Sequence, residues 1–230
     1  MTWVKICGMT NLDDALVAVD AGADAVGFVF YEKSPRKIDV ETAREIVKKL
    51  PERVEKVGVF VDADCGRIRE IVSAVGISIV QLHGGRSTED LLSDATPAVE
   101  RVGVSRVIFM VPGEMLTKAV ANEAEVLIRG RTTEKAFAVL LDSRSGELCG
   151  GTGTTFDWEE AQRLAIGMSF HVPLVIAGGL TSANVAKAVS VFQPFGVDVV
   201  SGVELRPGKK DPEKVRAFVQ AVREMDRKTS

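Results

Sequence analysis

The chain has 230 residues, 46% hydrophobic and 27% charged, with 29 basic against 32 acidic side chains and a formal net charge of -3. This is the mix of a globular protein with enough chain to bury a sizeable core. The charge balance excludes a general electrostatic attraction to nucleic acid or an anionic membrane, though not a local anion site. In chain order, short apolar runs alternate with amphipathic segments. The run 3–6 predicts a first strand, followed by Cys7, Gly8 and Met9. A helix is expected over 12–21, capped by Asn11, with acids at 13 and 14 and Gly22 as its stop. Strand 25–30 leads into the segment 31–36, which holds Ser34, Pro35 and Arg36, and then into helix 41–50. Strand 56–60 precedes helix 66–75, which Gly76 closes. Strand 78–82 carries Gln81 and runs into His83 and Gly84 before a helix at 88–95. A fifth unit pairs strand 106–111 with helix 114–124. Strand 137–141 stops at Asp142; the loop Gly150-Gly151-Thr152-Gly153 follows, then helix 158–166, whose Asp157 and Glu160 have capping-box spacing. Strand 174–177 ends in Gly178-Gly179 before helix 183–191. Strand 197–200 ends in Ser201-Gly202-Val203 before helix 212–225, opened by Asp211-Pro212.

The strands read as continuous apolar runs, the pattern of strands buried on both faces in a parallel sheet. Eight β-then-α units of about 29 residues suit one (β/α)8 TIM barrel spanning residues 1–230. An open doubly wound sheet has the same periodicity; the count of eight favours the barrel. The first eleven residues, MTWVKICGMTN, lack a signal peptide's apolar core, and no apolar stretch approaches the ~20 residues of a membrane span. A reducing cytoplasm is the expected compartment. The three cysteines, at 7, 65 and 149, suggest neither a disulfide framework nor a zinc site, and two histidines are too few for a His-rich metal centre, so no metal cofactor is expected.

In a barrel, working residues sit at the C-terminal ends of strands. The glycine turns Gly178-Gly179 and Ser201-Gly202 let backbone N–H groups approach a ligand, and loops after strands 7 and 8 are this fold's usual phosphate cradle. Helix N-termini near Ser182 and Val203 would add favourable dipoles. The same glycines would also serve as tight turns alone. Cys7 is either a reactive thiol or a small buried hydrophobe, and Lys5 is assigned to the opposite strand face. Asp142 is either functional or a loop cap. Arg36 is either a bidentate partner for a carboxylate or a solvated charge. His83 is a ligand contact or a cap, with the cap favoured. His171 is placed at the opposite end of the barrel. Cys65 and Cys149 have no neighbouring base in sequence, and Lys209-Lys210 is assigned to solvated surface.

Taken together, the segments Lys5-Ile6-Cys7-Gly8, Gly22-Ala23-Asp24-Ala25-Val26-Gly27-Phe28-Val29-Phe30, Ser34-Pro35-Arg36, Gln81-Leu82-His83-Gly84, Leu140-Leu141-Asp142, Ala177-Gly178-Gly179-Leu180 and Ser201-Gly202-Val203-Glu204 resemble the phosphoribosylanthranilate isomerase family. The likeness runs nearly end to end. It implies an Amadori rearrangement of N-(5-phosphoribosyl)anthranilate to 1-(2-carboxyphenylamino)-1-deoxyribulose 5-phosphate in L-tryptophan biosynthesis. It further implies Cys7 as general base, Asp142 as general acid, Arg36 at the anthranilate end and the two glycine turns at the phosphate. The partners it implies are a small phosphorylated substrate and, at most, a second copy of the chain, so monomer or homodimer. Two departures stand out: Val200 replaces a serine usual in the family, and residues 127–135 read as an insertion. Competing readings are another phosphate-binding barrel enzyme, such as indole-glycerol-phosphate synthase, or a non-catalytic barrel. The first uses lysine and glutamate where the strand ends here offer Cys7 and Asp142, and the second has no need to keep both.

Overall fold

The computed structural model describes residues 1–83, 106–112, 136–142 and 173–229. Within them, β1 (Trp3–Cys7), β2 (Ala25–Val29), β3 (Glu55–Phe60), β4 (Ile79–Leu82), β5 (Val107–Pro112), β6 (Ala136–Asp142), β7 (Leu174–Ala177) and β8 (Gly196–Val199) form one closed barrel in sequence order. Every neighbouring pair is parallel, and β1 closes the ring on β8 with Lys5 opposite Asp198. The eight apolar runs therefore became eight strands, each within two residues of its expected bounds. The described helices are α1 (Leu12–Asp20), α2 (Val40–Val47), α3 (Cys65–Val75), α4 (Val185–Phe192) and α5 (Pro212–Thr229). The helices expected at 88–95, 114–124 and 158–166, the loop 150–153, the Asp157–Glu160 box, Cys149, His171 and the insertion 127–135 lie outside the described residues.

Local chemistry sets the helix ends. Asn11, Asp39 and Asp64 each accept a hydrogen bond from the backbone N–H three residues on, satisfying donors that the first turn leaves open. Gly76 ends α3 in the left-handed region at φ 85°, where a side chain would be strained. One expectation fails here. Only a single 3-10 turn, Ser201–Val203, follows β8, and the chain then makes a two-stranded hairpin, β9 (Glu204–Arg206) with β10 (Lys209–Lys210), before α5 begins. Three residues in a tight turn cannot accumulate the dipole of a helix, so no helix N-terminus faces the rim at Val203.

Alternation divides each strand between two cores. On β1, Val4 and Ile6 face the helix layer, while Trp3 joins Ala25, Val57, Ile79, Ile108 and others inside the barrel. Trp3 plugs the N-terminal end: its ring stacks on Phe195 at 6.0 Å, and its indole N–H donates to Glu55 at 3.1 Å. Each large apolar side chain buried this way contributes roughly 1.5–3 kcal/mol. Above this apolar plug, the inward positions of β1 become Lys5 and then Cys7, and the barrel interior turns polar towards its C-terminal mouth.

Candidate active site

The mouth holds a cavity of about 170 Å³ that opens to solvent. Cys7, Arg36, Gln81, His83, Asp142, Gly178, Gly179, Ser201 and Gly202 all line it, together with Asp198. Strand geometry explains the convergence. Cys7 and Asp142 are the last residues of β1 and β6. Gln81 lies inside β4, His83 just beyond it, and the glycine turns directly follow β7 and β8.

Cys7 is 3% exposed. Its thiol fits because residue 27, its partner on β2, is glycine: a Cβ there would stand 2.5 Å from the Cys7 sulfur and 3.1 Å from Cε of Lys5. The turn after β1 is pinned on the same residue, since Gly8 and Met9 both donate backbone N–H bonds to the Gly27 carbonyl, at 3.0 and 2.9 Å. After β7, Gly178 and Gly179 occupy the left-handed region at φ 85° and 62°. The β7 and β8 loops approach so closely that a Cβ on Gly202 would lie 1.8 Å from the Leu180 carbonyl oxygen. Only glycine permits this contact.

Lys5 is wholly buried, and it points into the barrel beneath Cys7, not away from it. The expected opposite orientation is corrected by strand periodicity itself, because residues two apart share a face. Its ammonium donates to Asp198 at 2.8 Å and to Gln81 at 2.9 Å. Burial opposes the Lys5 charge, but the carboxylate of Asp198 and the neighbouring Cys7 outweigh it and hold the ammonium above its ordinary range. Burial pushes the Cys7 thiol up; Lys5 pulls it down, Asp198 pushes it up and Lys210 pulls it down, with a net rise.

Lys210 supplies the second correction. It is not solvated surface but fully buried, its ammonium 3.2 Å from both Glu204 and the Val200 carbonyl. The β9–β10 hairpin folds it back under the rim, while Lys209 pairs with Asp14 on α1. Burial lowers the Lys210 pKa, in part offset by Glu204. Glu204 also takes a fork of bonds from Arg36, from Nε at 2.9 Å and Nη2 at 2.8 Å. Burial favours protonation of Glu204, yet Arg36 and Lys210 hold its carboxyl below the usual range. Arg36 thus presents an oriented guanidinium to the cavity, with Nη1 outside the pair.

Residues 4–221 match the model of the N-(5'-phosphoribosyl)anthranilate (PRA) isomerase family. The chain belongs to that family. An N-(5'-phosphoribosyl)anthranilate isomerase of Geobacter sp. (strain M21) is 44% identical over 225 residues, covering 98% of this chain and 100% of its own. The crystal structure of phosphoribosyl anthranilate isomerase from Thermotoga maritima is 40% identical with a TM-score of 0.79, over 97% of this chain and 100% of that one. A phosphoribosyl anthranilate isomerase crystallised with reduced 1-(o-carboxyphenylamino)-1-deoxyribulose 5-phosphate is 38% identical, with a TM-score of 0.77 over the same shares.

Four polar residues of this PRA isomerase barrel escaped sequence reasoning as site components: Lys5, Asp198, Glu204 and Lys210. A signal existed for the first two. Each is a lone charged residue in an otherwise apolar strand buried on both faces, where an unpaired charge is too costly to keep. Glu204 and Lys210 carry no such mark, since both lie in a charged, turn-rich stretch.

Proposed function

We propose that the cavity at the barrel mouth isomerises N-(5-phosphoribosyl)anthranilate by general acid and base catalysis, with Asp142 as acid and Cys7 as base. Asp142 protonates the ring oxygen, and the furanose opens to a protonated Schiff base. Cys7, as thiolate, takes the C2′ proton to give the enolamine, which tautomerises to the aminoketose. Membership of the PRA isomerase family supports the reaction. The observation that carries the residue assignment is the lining of one cavity by a thiol and a carboxylate from the ends of β1 and β6, strands separated by others around the ring on either side. Lys5 and Lys210 favour the thiolate against burial and Asp198, and the positive charge of the imine acidifies the C2′ proton that Cys7 takes.

Arg36, aimed by Glu204, receives the anthranilate carboxylate, and the turns at Gly178-Gly179 and Ser201-Gly202 receive the phosphate. Gln81 and His83 complete the wall between them. With phosphate held mainly through backbone groups, Val200 in place of serine changes little. None of the described helices is long and apolar enough to cross a membrane. One solved Thermotoga maritima structure is described as generated monomers of a dimeric phosphoribosylanthranilate isomerase, which makes a homodimer of this chain the first alternative to a monomer. The test is loss of substrate fluorescence with freshly generated phosphoribosylanthranilate. Wild type should consume it, while Cys7→Ser and Asp142→Asn should each lose about 10²–10⁴-fold in kcat and still bind a product analogue. Near-normal kcat in either variant removes that residue from its role.

A further inference from the structure

The polar floor of the cavity has a feature that substrate contacts do not explain. A barrel interior filled by side-chain layers is normally apolar, yet directly above the plug around Trp3 lies a layer built from Lys5, Gln81 and Asp198, drawn from β1, β4 and β8. Lys5 is 0% and Asp198 5% exposed. Burying an ammonium there is costly unless it is paired, and a buried pair is weak support for stability alone. Moreover, Asp198 Oδ1 is buried without a hydrogen-bond partner, so the layer is not arranged for maximal polar satisfaction.

What the layer does place well is the lysine relative to the thiol. Lys5 and Cys7 project from the same face of β1, one turn of the pleat apart. The Lys5 stem and the Cys7 sulfur both close over Gly27, 3.1 and 2.5 Å from the point its Cβ would occupy. Asp198 and Gln81 hold two of the three ammonium donors, which fixes the head group under the thiol. We propose that Lys5, anchored by Asp198 and Gln81, is a positioning residue that makes Cys7 available as a thiolate. The inference rests on the proposed base role of Cys7 for its catalytic consequence, but its electrostatic content does not. Among the described residues, the charged and titratable groups around the thiol are Lys5 on β1, Asp198 on β8 and Lys210 on β10, with Tyr31, Lys33, Arg36, His83 and Asp142 lining the same cavity and Glu204 beyond Arg36. Lys5 and Lys210 favour the thiolate and Asp198 opposes it, Lys5 weighing most of the three.

The experiment is an NMR titration of the cysteine β-carbon in a Cys65→Ser/Cys149→Ser background, alongside the pH profile of kcat/KM. Lys5→Met should raise the Cys7 midpoint by a unit or more, which reduces the thiolate fraction at neutral pH about tenfold or more. The acidic limb of kcat/KM should move up with it, the two enzymes converging at high pH. Should Lys5→Met fail to fold with Asp198 left unpaired, Lys5→Met/Asp198→Asn restores a neutral layer, and its midpoint should still lie above that of wild type, by a smaller margin. A midpoint unmoved or lowered in whichever variant folds overturns the proposal. A raised midpoint with an unmoved kinetic limb upholds the coupling and refutes the base role of Cys7, so the two ideas fail separately.

Discussion

At the residue scale, the geometry of Cys7 is governed by the absence of a side chain at Gly27. Gly27→Ala puts a methyl 2.5 Å from the sulfur, so thiol and lysine must both move. Overpacking of this kind costs roughly 1–3 kcal/mol. Gly27→Ala should therefore lower Tm modestly and cut kcat at least tenfold, because a base displaced by an ångström loses its alignment; unchanged steady-state kinetics would show that the thiol is not held from this side. The burial that raises the thiol also sets a pH dependence. A base acts deprotonated, and its unliganded pKa lies above the ordinary thiol value, so kcat/KM should climb as pH rises through the alkaline side of neutrality. A profile flat from neutral pH upward would contradict this sign.

At the element scale, the β9–β10 hairpin and the two glycine turns together shape the mouth. Glu204 at the start of the hairpin binds Arg36, Lys210 and the Gly208 N–H, thereby tying the loop after β2 to the chain after β8. Removing one partner of a buried pair strands the other, at roughly 3–5 kcal/mol, and the lower end applies because Arg36 is partly solvated. Glu204→Gln should lower Tm measurably and raise KM more than it lowers kcat, since Arg36 loses its orientation while Cys7 and Asp142 stay. Arg36→Met should share the KM effect with less loss of stability. Two residues before Glu204, Gly202→Ala collides with the Leu180 carbonyl at 1.8 Å, and neither backbone can yield without opening the turn. The expected result is weaker binding of inorganic phosphate and a higher KM; a normal KM would move the phosphate site elsewhere.

At the scale of the whole molecule, the two ends of the barrel have different tasks. The C-terminal mouth holds the cavity, while the N-terminal end holds the ties that close the ring. There the last helix secures the first strand. Asp226 on α5 accepts from the Thr2 N–H at 3.0 Å and the Thr2 hydroxyl at 2.7 Å, and Arg223 reaches Asp24 at 2.7 Å and the Gly22 carbonyl at 3.0 Å. Burial favours protonation of Asp226, but the Thr2 bonds and Arg223 prevail and keep its carboxyl below the usual range. A depressed folded-state pKa stabilises above the unfolded value near 3.9 and is lost as pH falls through the folded value. Asp226→Asn should accordingly lower Tm at neutral pH, and the difference from wild type should shrink in thermal melts at increasingly acid pH, with kcat untouched throughout. A pH-independent difference would place the effect in packing.

Local pattern was sufficient for the eight strands, because strands buried on both faces must be apolar along their whole length, and it was sufficient for the rim, because a parallel barrel presents every strand end on one side. The places of Cys7, Asp142 and the glycine turns on that rim could be read from those ends, whereas their roles rested on the family resemblance. The shared face of Lys5 and Cys7 follows from a period of two, although the sequence reading set Lys5 on the opposite face. The purpose of Lys5 was not legible. Its partners stand 76 and 193 residues away and meet it only when β8 closes on β1. Lys210 is the clearest case of what tertiary structure alone decided: as sequence it is one of two adjacent lysines beside a proline-glycine turn, yet the hairpin buries it against Glu204. Periodicity records which way a side chain points within its own element, whereas the charge it meets is set by ring closure, which no local pattern encodes.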